Sequence, residues 1–258
     1  MKMSTLFNRG TKTHNIQSDP LYPLPLHFYL NQLVLLLVTA LFLTWLSRSG
    51  NWDMAVSRLW YDPLIHRFPL QDNRWLDVIN HRLLKDTLIG GGFLLLLAGL
   101  LRRQPRQILV ALMMGIGPLV VGILKASSAH SCPWDLVQFG GKALSYPLFG
   151  IVPAHSGPGR CFPGGHASSG FSAMALFFLF YPRRLRLAVI CWWIALTIGL
   201  VMGLGQVMRG AHFLSHNLWA AWWVWLTQCV TFWCVTHLLK KREIYRNGSI
   251  QPGAVSRL

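Results

Sequence analysis

Leu187-Ala-Val-Ile-Cys-Trp-Trp-Ile-Ala-Leu-Thr-Ile-Gly-Leu-Val-Met-Gly-Leu204 holds no charged residue and no proline. A run of this kind is long enough to cross the hydrocarbon of a bilayer, which takes about 20 residues. It is apolar on every side, as a helix is when its solvent is lipid. Its flanks differ sharply. Before it stands Arg183-Arg184-Leu-Arg186, and after it stands Gln206-Val-Met-Arg209-Gly-Ala-His212-Phe-Leu-Ser215-His216-Asn217. One end is purely basic. The other is rich in histidine and amides.

Working outward, similar stretches recur at Phe28–Ser47, Thr87–Leu101, Ile108–Leu124, Ala167–Tyr181 and Leu218–Leu239. The expected fold is therefore all-α: a polytopic membrane bundle of about six transmembrane helices with an extracytoplasmic active-site loop. The second and fourth stretches are short, about 15 residues each, so spanning and re-entrant readings both stay open for them. Trp75–Leu84 has helical apolar spacing. It reads either as a helix lying along the interface or as one packed on the bundle.

Composition agrees with lipid as the solvent. Apolar residues make up 53% and charged residues only 12%, against about 25% charged in ordinary soluble domains. The net charge is +16, from 24 Lys and Arg against 8 acids. These charges punctuate apolar segments and form no long basic arm, which excludes nucleic acid as the expected partner. Lys2, Arg9 and Lys12, then Arg102-Arg103-Gln-Pro-Arg106, Arg183–Arg186 and Lys240-Lys241-Arg242 occupy alternate connections. The positive-inside rule places all four in the cytoplasm. The division is then a cytoplasmic tail 1–27, a six-span domain 28–239 with its core at 125–217, and a basic cytoplasmic tail 240–258. No cleavable leader is expected, because the first 27 residues are polar and carry Pro20, Pro23 and Pro25. The mixed loop Arg48–Asp86, with Asp53, Asp62, Asp72, Asp77 and Asp86, fits this orientation least well.

Three clusters fall on the opposite, outer side. They are Lys125-Ala-Ser-Ser-Ala-His130-Ser-Cys132-Pro133-Trp134-Asp135, Arg160-Cys161-Phe-Pro163-Gly164-Gly165-His166, and the segment Gln206–Asn217. Lys125, Arg209 and Arg160 offer positive charge to a dianion. Gly164 and Gly165 precede a helix whose first N–H groups can face an anion. His212 suits a nucleophile and His166 an acid. Basic groups and histidines without a carboxylate cluster fit phosphoryl transfer that needs no metal and no cofactor. His66, His81, His130 and His155 carry no motif and read as loop polar groups.

These residues resemble the type 2 phosphatidic acid phosphatase family of membrane lipid phosphatases. That family shows Lys-x6-Arg-Pro, then Pro-Ser-Gly-His, then Ser-Arg-x5-His-x3-Asp. The resemblance covers about Lys125 to Asn217 and the six-span plan. It implies a phosphohistidine at His212, leaving-group protonation by His166, and phosphate binding by Lys125. The chain departs from the pattern at four points. Cys132 and Gln206 stand at the two Arg positions, Gly164 replaces Ser, and His216 replaces the orienting Asp. Arg209 and Arg160 can restore guanidinium charge. His216, Asn217 and Asp135 are the candidates for holding His212.

Cys191, Cys229 and Cys234 lie within spans and read as small apolar residues. Cys132 and Cys161 share the outer loop, where an oxidising compartment permits a disulfide. Such a staple is worth about 3–4 kcal/mol in the chain-entropy model. Two free thiols are the alternative. The expected activity is hydrolysis of a lipid phosphomonoester or pyrophosphate at the outer face of the cytoplasmic membrane. Phosphatidate, phosphatidylglycerol phosphate, undecaprenyl pyrophosphate and lipid A all qualify as substrate. Phosphate transfer between lipids, and a non-catalytic transport or interaction role, are the alternatives. Ionisable residues are nearly absent from the spans, which disfavours transport. The sequence sets no oligomeric state.

Overall fold

The computed structural model describes residues 21–248. The expected tail residues 1–20 and the end of the basic tail, 249–258, lie outside the described residues. Among the described residues there is no strand. The helices are α1 (Leu26–Ser47), α2 (Asn51–Arg58), α3 (Leu84–Leu101), α4 (Pro105–Ala126), α5 (Gly165–Ser172), α6 (Leu176–Phe180), α7 (Leu185–Met208) and α8 (Leu214–Gly248).

Five helices are long and apolar enough to cross a membrane: Leu26–Ser47, Leu76–Leu101, Pro105–Ala126, Leu185–Met208 and Leu214–Arg242. The protein is a helical membrane bundle. The second span is longer than Thr87–Leu101 because a π-helical turn, Leu76–Leu83, runs straight into α3. Asn80 in that turn donates its Nδ2–H to the Val201 carbonyl of α7 at 3.1 Å. The Trp75–Leu84 segment is thus part of the bundle.

The fourth segment, Gly165–Phe180, stays short and apolar. At 1.5 Å per residue it covers about 24 Å, less than the hydrocarbon thickness. It tolerates this because protein surrounds it. Ala167, Ser168, Gly170 through Ala175, Phe177 and Phe178 are all buried. This central helix needs no match to the lipid.

Packing runs opposite to that of a soluble core. Helix α7 turns Ile190, Trp193, Ile194 and Val201 outward and buries Ala188, Ala195, Gly199 and Gly203. Lipid is as apolar as leucine, so large side chains gain nothing by turning inward. Small ones let backbones approach. Gly170 of α5 meets Gly199 of α7 so closely that a Cβ on Gly170 would lie 2.5 Å from the Gly199 Cα. At the far end, Phe178 stacks on Phe232 with ring centroids 4.7 Å apart. Arg106, buried at the start of α4, donates to the Tyr181 carbonyl at 2.9 Å.

Above the bundle sits a second, smaller apolar cluster: Phe68, Leu136, Phe139 and Ala143, with Trp134 and Phe213 packed on it. It joins the loop after α1 to the loop after α4 and to the turn before α8. It is the cap on which the polar clusters rest.

Replacing Gly199 with leucine should force α5 and α7 apart, because its Cβ already has no room beside the Phe171 ring. Overpacking of this kind costs about 1–3 kcal/mol or more. Gly115, which has open space around it, is the control. Thermal retention of monodisperse protein in detergent should fall sharply for Gly199→Leu and stay unchanged for Gly115→Ala.

Candidate active site

Four helix ends meet under the cap. The C-terminal end of α4 brings Lys125, the N-terminal end of α5 brings Gly164, Gly165 and His166, and the turn between α7 and α8 brings Arg209 and His212. The first turn of α8 brings His216 and Asn217. The expected clusters therefore converge at one end of the bundle.

The loops are tied edge to edge. Arg160 N–H donates to Ser128 O at 2.7 Å and Cys161 N–H to His130 O at 2.9 Å. A disulfide joins Cys132 to Cys161 beside them. Gly164 N–H donates to the His216 carbonyl at 2.8 Å, which locks the start of α5 to the start of α8. Gly164 is required there. A Cβ would collide with Asn217 Oδ1. The missing Ser hydroxyl of the second cluster and the amide at 217 are thus one steric fact.

His212 is 1% exposed. Its turn closes through Ala211 N–H and His212 N–H, both donating to the Gln206 carbonyl. Gly210 has φ +72°, with the Phe68 ring where a side chain would be. The His166 and His212 rings lie 6.0 Å apart. The Lys125 ammonium closes the third side: a methyl placed on Gly165 would sit 3.7 Å from its Nζ. Among the described residues no ion pair holds Lys125. This cation therefore stands at the positive end of α5, whose first N–H groups have no intrahelical acceptor. Burial, followed by the neighbouring His216, Lys125 and His166 charges, holds His212 well below the usual histidine value. It is a neutral imidazole at pH 7.

Other expected site residues are engaged elsewhere. Arg209 donates from Nε to the Gln71 carbonyl at 3.0 Å and from Nη1 to Asp77 at 3.4 Å. Arg160 is exposed, with φ +58°. Asp135 accepts the Cys132 N–H at 3.1 Å, so it supports the disulfide. Burial raises its carboxyl above the usual range. Asn217 donates through Nδ2 to Gly203 O and Phe213 O. His216 is buried, and its ring lies 6.0 Å from that of His212. What faces His212 Nδ1 is the Cys161 sulfur, at 3.3 Å. The Cys132, Cys161 and His212 donor atoms lie within 4.8 Å of one another. With the sulfurs bonded to each other, they have no thiolate to give a metal.

Sequence reasoning missed the acidic clamps. Asp53 of α2 accepts both the Ser215 N–H at 2.9 Å and the Ser215 hydroxyl at 2.5 Å, across 162 residues. It caps α8 in place of a local residue. Burial raises its carboxyl, and the two Ser215 donors pull it back down. Asp77 holds Arg209 from the same loop. One signal was present: five of the chain's eight acids fall in Arg48–Asp86. Gln206, at the position of the second Arg, is 2% exposed and its Nε2 has no partner among the described residues.

A family model, the PAP2 superfamily, matches residues 106–240, just over half of the chain. No curated protein and no solved structure matches it.

Gly164→Ser should lower the thermal midpoint by the equivalent of about 1–3 kcal/mol, since the new Cβ must displace Asn217. Adding Asn217→Ala should restore most of the loss. Equal midpoints for Gly164→Ser and the wild type in a thermofluor assay would refute the steric coupling.

Proposed function

Because the chain belongs to the PAP2 superfamily, we propose that it is a metal-independent lipid phosphate phosphatase acting through a phosphohistidine at His212. The family supports phosphatase-type hydrolysis. The observation that carries the finer reading is Lys125: an unpaired ammonium over the N-terminus of α5, beside two histidines 6.0 Å apart. A cation and free backbone N–H groups at one point make an anion site. Neutral His212 makes a nucleophile next to it.

Chemistry follows from the residue types. His212 Nε2 attacks phosphorus, forming a P–N bond as the P–O bond to the leaving group breaks. His166, protonated, delivers its proton to the leaving oxygen. Water then attacks the phosphoenzyme, His166 takes a proton from it, and His212 is released with inorganic phosphate. Lys125 and the α5 N–H groups hold the phosphoryl oxygens. Gln206 offers its amide N–H where the resemblance puts an arginine. Arg160 lies at the loop edge, where its guanidinium can meet an incoming headgroup.

Two features support a lipid rather than a soluble ester. The site sits at the ends of membrane helices. A groove of about 410 Å³ also opens between α3 and α4, lined by Leu88, Phe93, Leu112 and Met114, and reaches Ser169, one turn along α5 from His166. It suits a hydrocarbon chain. The outer-face assignment rests on Arg102, Arg103, Arg183 and Arg184, which lie at the opposite helix ends from His212.

Purified protein without divalent metal should release phosphate from at least one of phosphatidate, phosphatidylglycerol phosphate, undecaprenyl pyrophosphate and lipid A. His212→Ala should abolish turnover. His166→Ala should lower kcat by about 10²–10⁴-fold. Full activity in His212→Ala, or strict EDTA sensitivity, would overturn the scheme.

The depressed basicity of His212 also sets the acid limb. Protonation removes the nucleophile, and burial shifts that event below the ordinary value of 6.5. With the substrate's own ionisation corrected for, kcat/KM should hold as pH falls through 6.5 and decline only further down. A half-loss centred at 6.5 would show that His212 is solvated in the working enzyme.

A further inference from the structure

A histidine that attacks through Nε2 needs its proton held on Nδ1. The described carboxylates near the site are otherwise engaged: Asp53 with Ser215, Asp77 with Arg209, and Asp135 with the Cys132 N–H. Asn217 donates through Nδ2 to Gly203 and Phe213, while its Oδ1 stands against Gly164 with no hydrogen-bond partner among the described residues. The group in hydrogen-bond contact with His212 Nδ1 is Cys161. Its sulfur lies 3.3 Å from Nδ1 and is fully buried. Bonded to Cys132, that sulfur carries no hydrogen, so it acts toward the ring only as an acceptor.

We propose that Cys161, locked by its disulfide to Cys132, is the positioning residue for His212, and that the redox state of this bond sets turnover. The inference rests on the reading of His212 as nucleophile. Oxidised, the sulfur accepts, so the ring keeps Nδ1–H and presents its Nε2 lone pair. A dithiol reductant changes the chemistry. Its thiolate attacks the half-exposed Cys132 sulfur, the S–S bond breaks, and Cys161 leaves as thiolate. The second reductant thiol closes its own disulfide. Two electrons and two protons have then passed to Cys132 and Cys161. The Cys161 S–H is now a donor with two acceptors in reach, the Ala211 carbonyl at 3.2 Å and His212 Nδ1 at 3.3 Å. Donating to Nδ1, it draws the ring into the other tautomer, with hydrogen on Nε2 and no lone pair toward phosphorus. A wrong tautomer in a comparable histidine relay costs up to about 10⁴-fold in kcat.

A simple structural staple makes different predictions. Cys132→Ala leaves the Cys161 thiol as donor. The double variant Cys132→Ala/Cys161→Ala removes that donor. Both lack the bond equally. With whichever lipid the oxidised wild type hydrolyses, dithiothreitol should lower kcat about tenfold or more with KM within about twofold, and oxidised glutathione should restore it. Cys132→Ala should match the reduced wild type, and the double variant should be severalfold faster than Cys132→Ala. Equal kcat in the two variants, or a wild type indifferent to reduction confirmed by thiol alkylation, overturns the proposal. His212→Ala separates the two levels. If it is inactive while reduction has no effect, the role of Cys161 alone falls. If it is fully active, the nucleophile assignment falls and this inference with it.

Discussion

Hydrocarbon tolerates no unpaired polar group, and that constraint organises everything else in this protein. The spans keep mainly apolar and small residues, with ionisable groups near their ends, so the polar clusters gather at helix ends. A site made from helix ends needs several helices to end together. Here α4 and α7 finish, and α5 and α8 begin, at one level. The close contact of Gly170 with Gly199 sets how near α5 stands to α7, and hence how near His166 stands to His212. Lipid chemistry, small-residue packing and the histidine separation are links of one chain.

Helix ends alone would fray, and the cap prevents it. Phe68 and its neighbours form an apolar cluster outside the bundle. From that platform Asp53 grips the start of α8 and Asp77 grips Arg209. Half-buried carboxylates are costly unless hydrogen-bonded. Each of these is bonded to the turn that carries His212. Two of the acids that make the Arg48–Asp86 segment mixed in charge, Asp53 and Asp77, are structural clamps. The orientation rule counts Lys and Arg and gives little weight to such acids.

The spans were legible in the sequence because lipid imposes a long, charge-free signal that needs no partner to interpret. The convergence of the three polar clusters at one end of the bundle was legible for a related reason: charge alternation put them on one side. The clamps were not. Asp53 and Ser215 are 162 residues apart, and nothing local marks the pairing. The join of Leu76–Leu83 to α3 was hidden because Asp77, Arg82, Lys85 and Asp86 interrupt the apolar run. Tertiary contact with α7 through Asn80 carries the helix across that interruption. Asp135 and Asn217 suited holding His212 by residue type, but residue type does not set hydrogen-bond geometry: Asp135 accepts the Cys132 N–H, and Asn217 donates to Gly203 and Phe213.

Three of the four departures from the family pattern also make sense together as electrostatics. Cys132 and Gln206 remove two positive charges, and His216 removes one negative charge. In a site this dry, an Asp beside His212 would oppose the arrival of a phosphate dianion more strongly once the arginines had gone, because the attraction offsetting it would be weaker. A neutral acceptor avoids that opposition. In the proposed role the Cys161 sulfur supplies one, and its disulfide partner Cys132 stands at the first arginine position. Lys125 is then left as the unopposed charge nearest the histidines. Under the proposed function, loss of the carboxylate and loss of the guanidinium belong to one adjustment, with Lys125 and the end of α5 left to draw the phosphate.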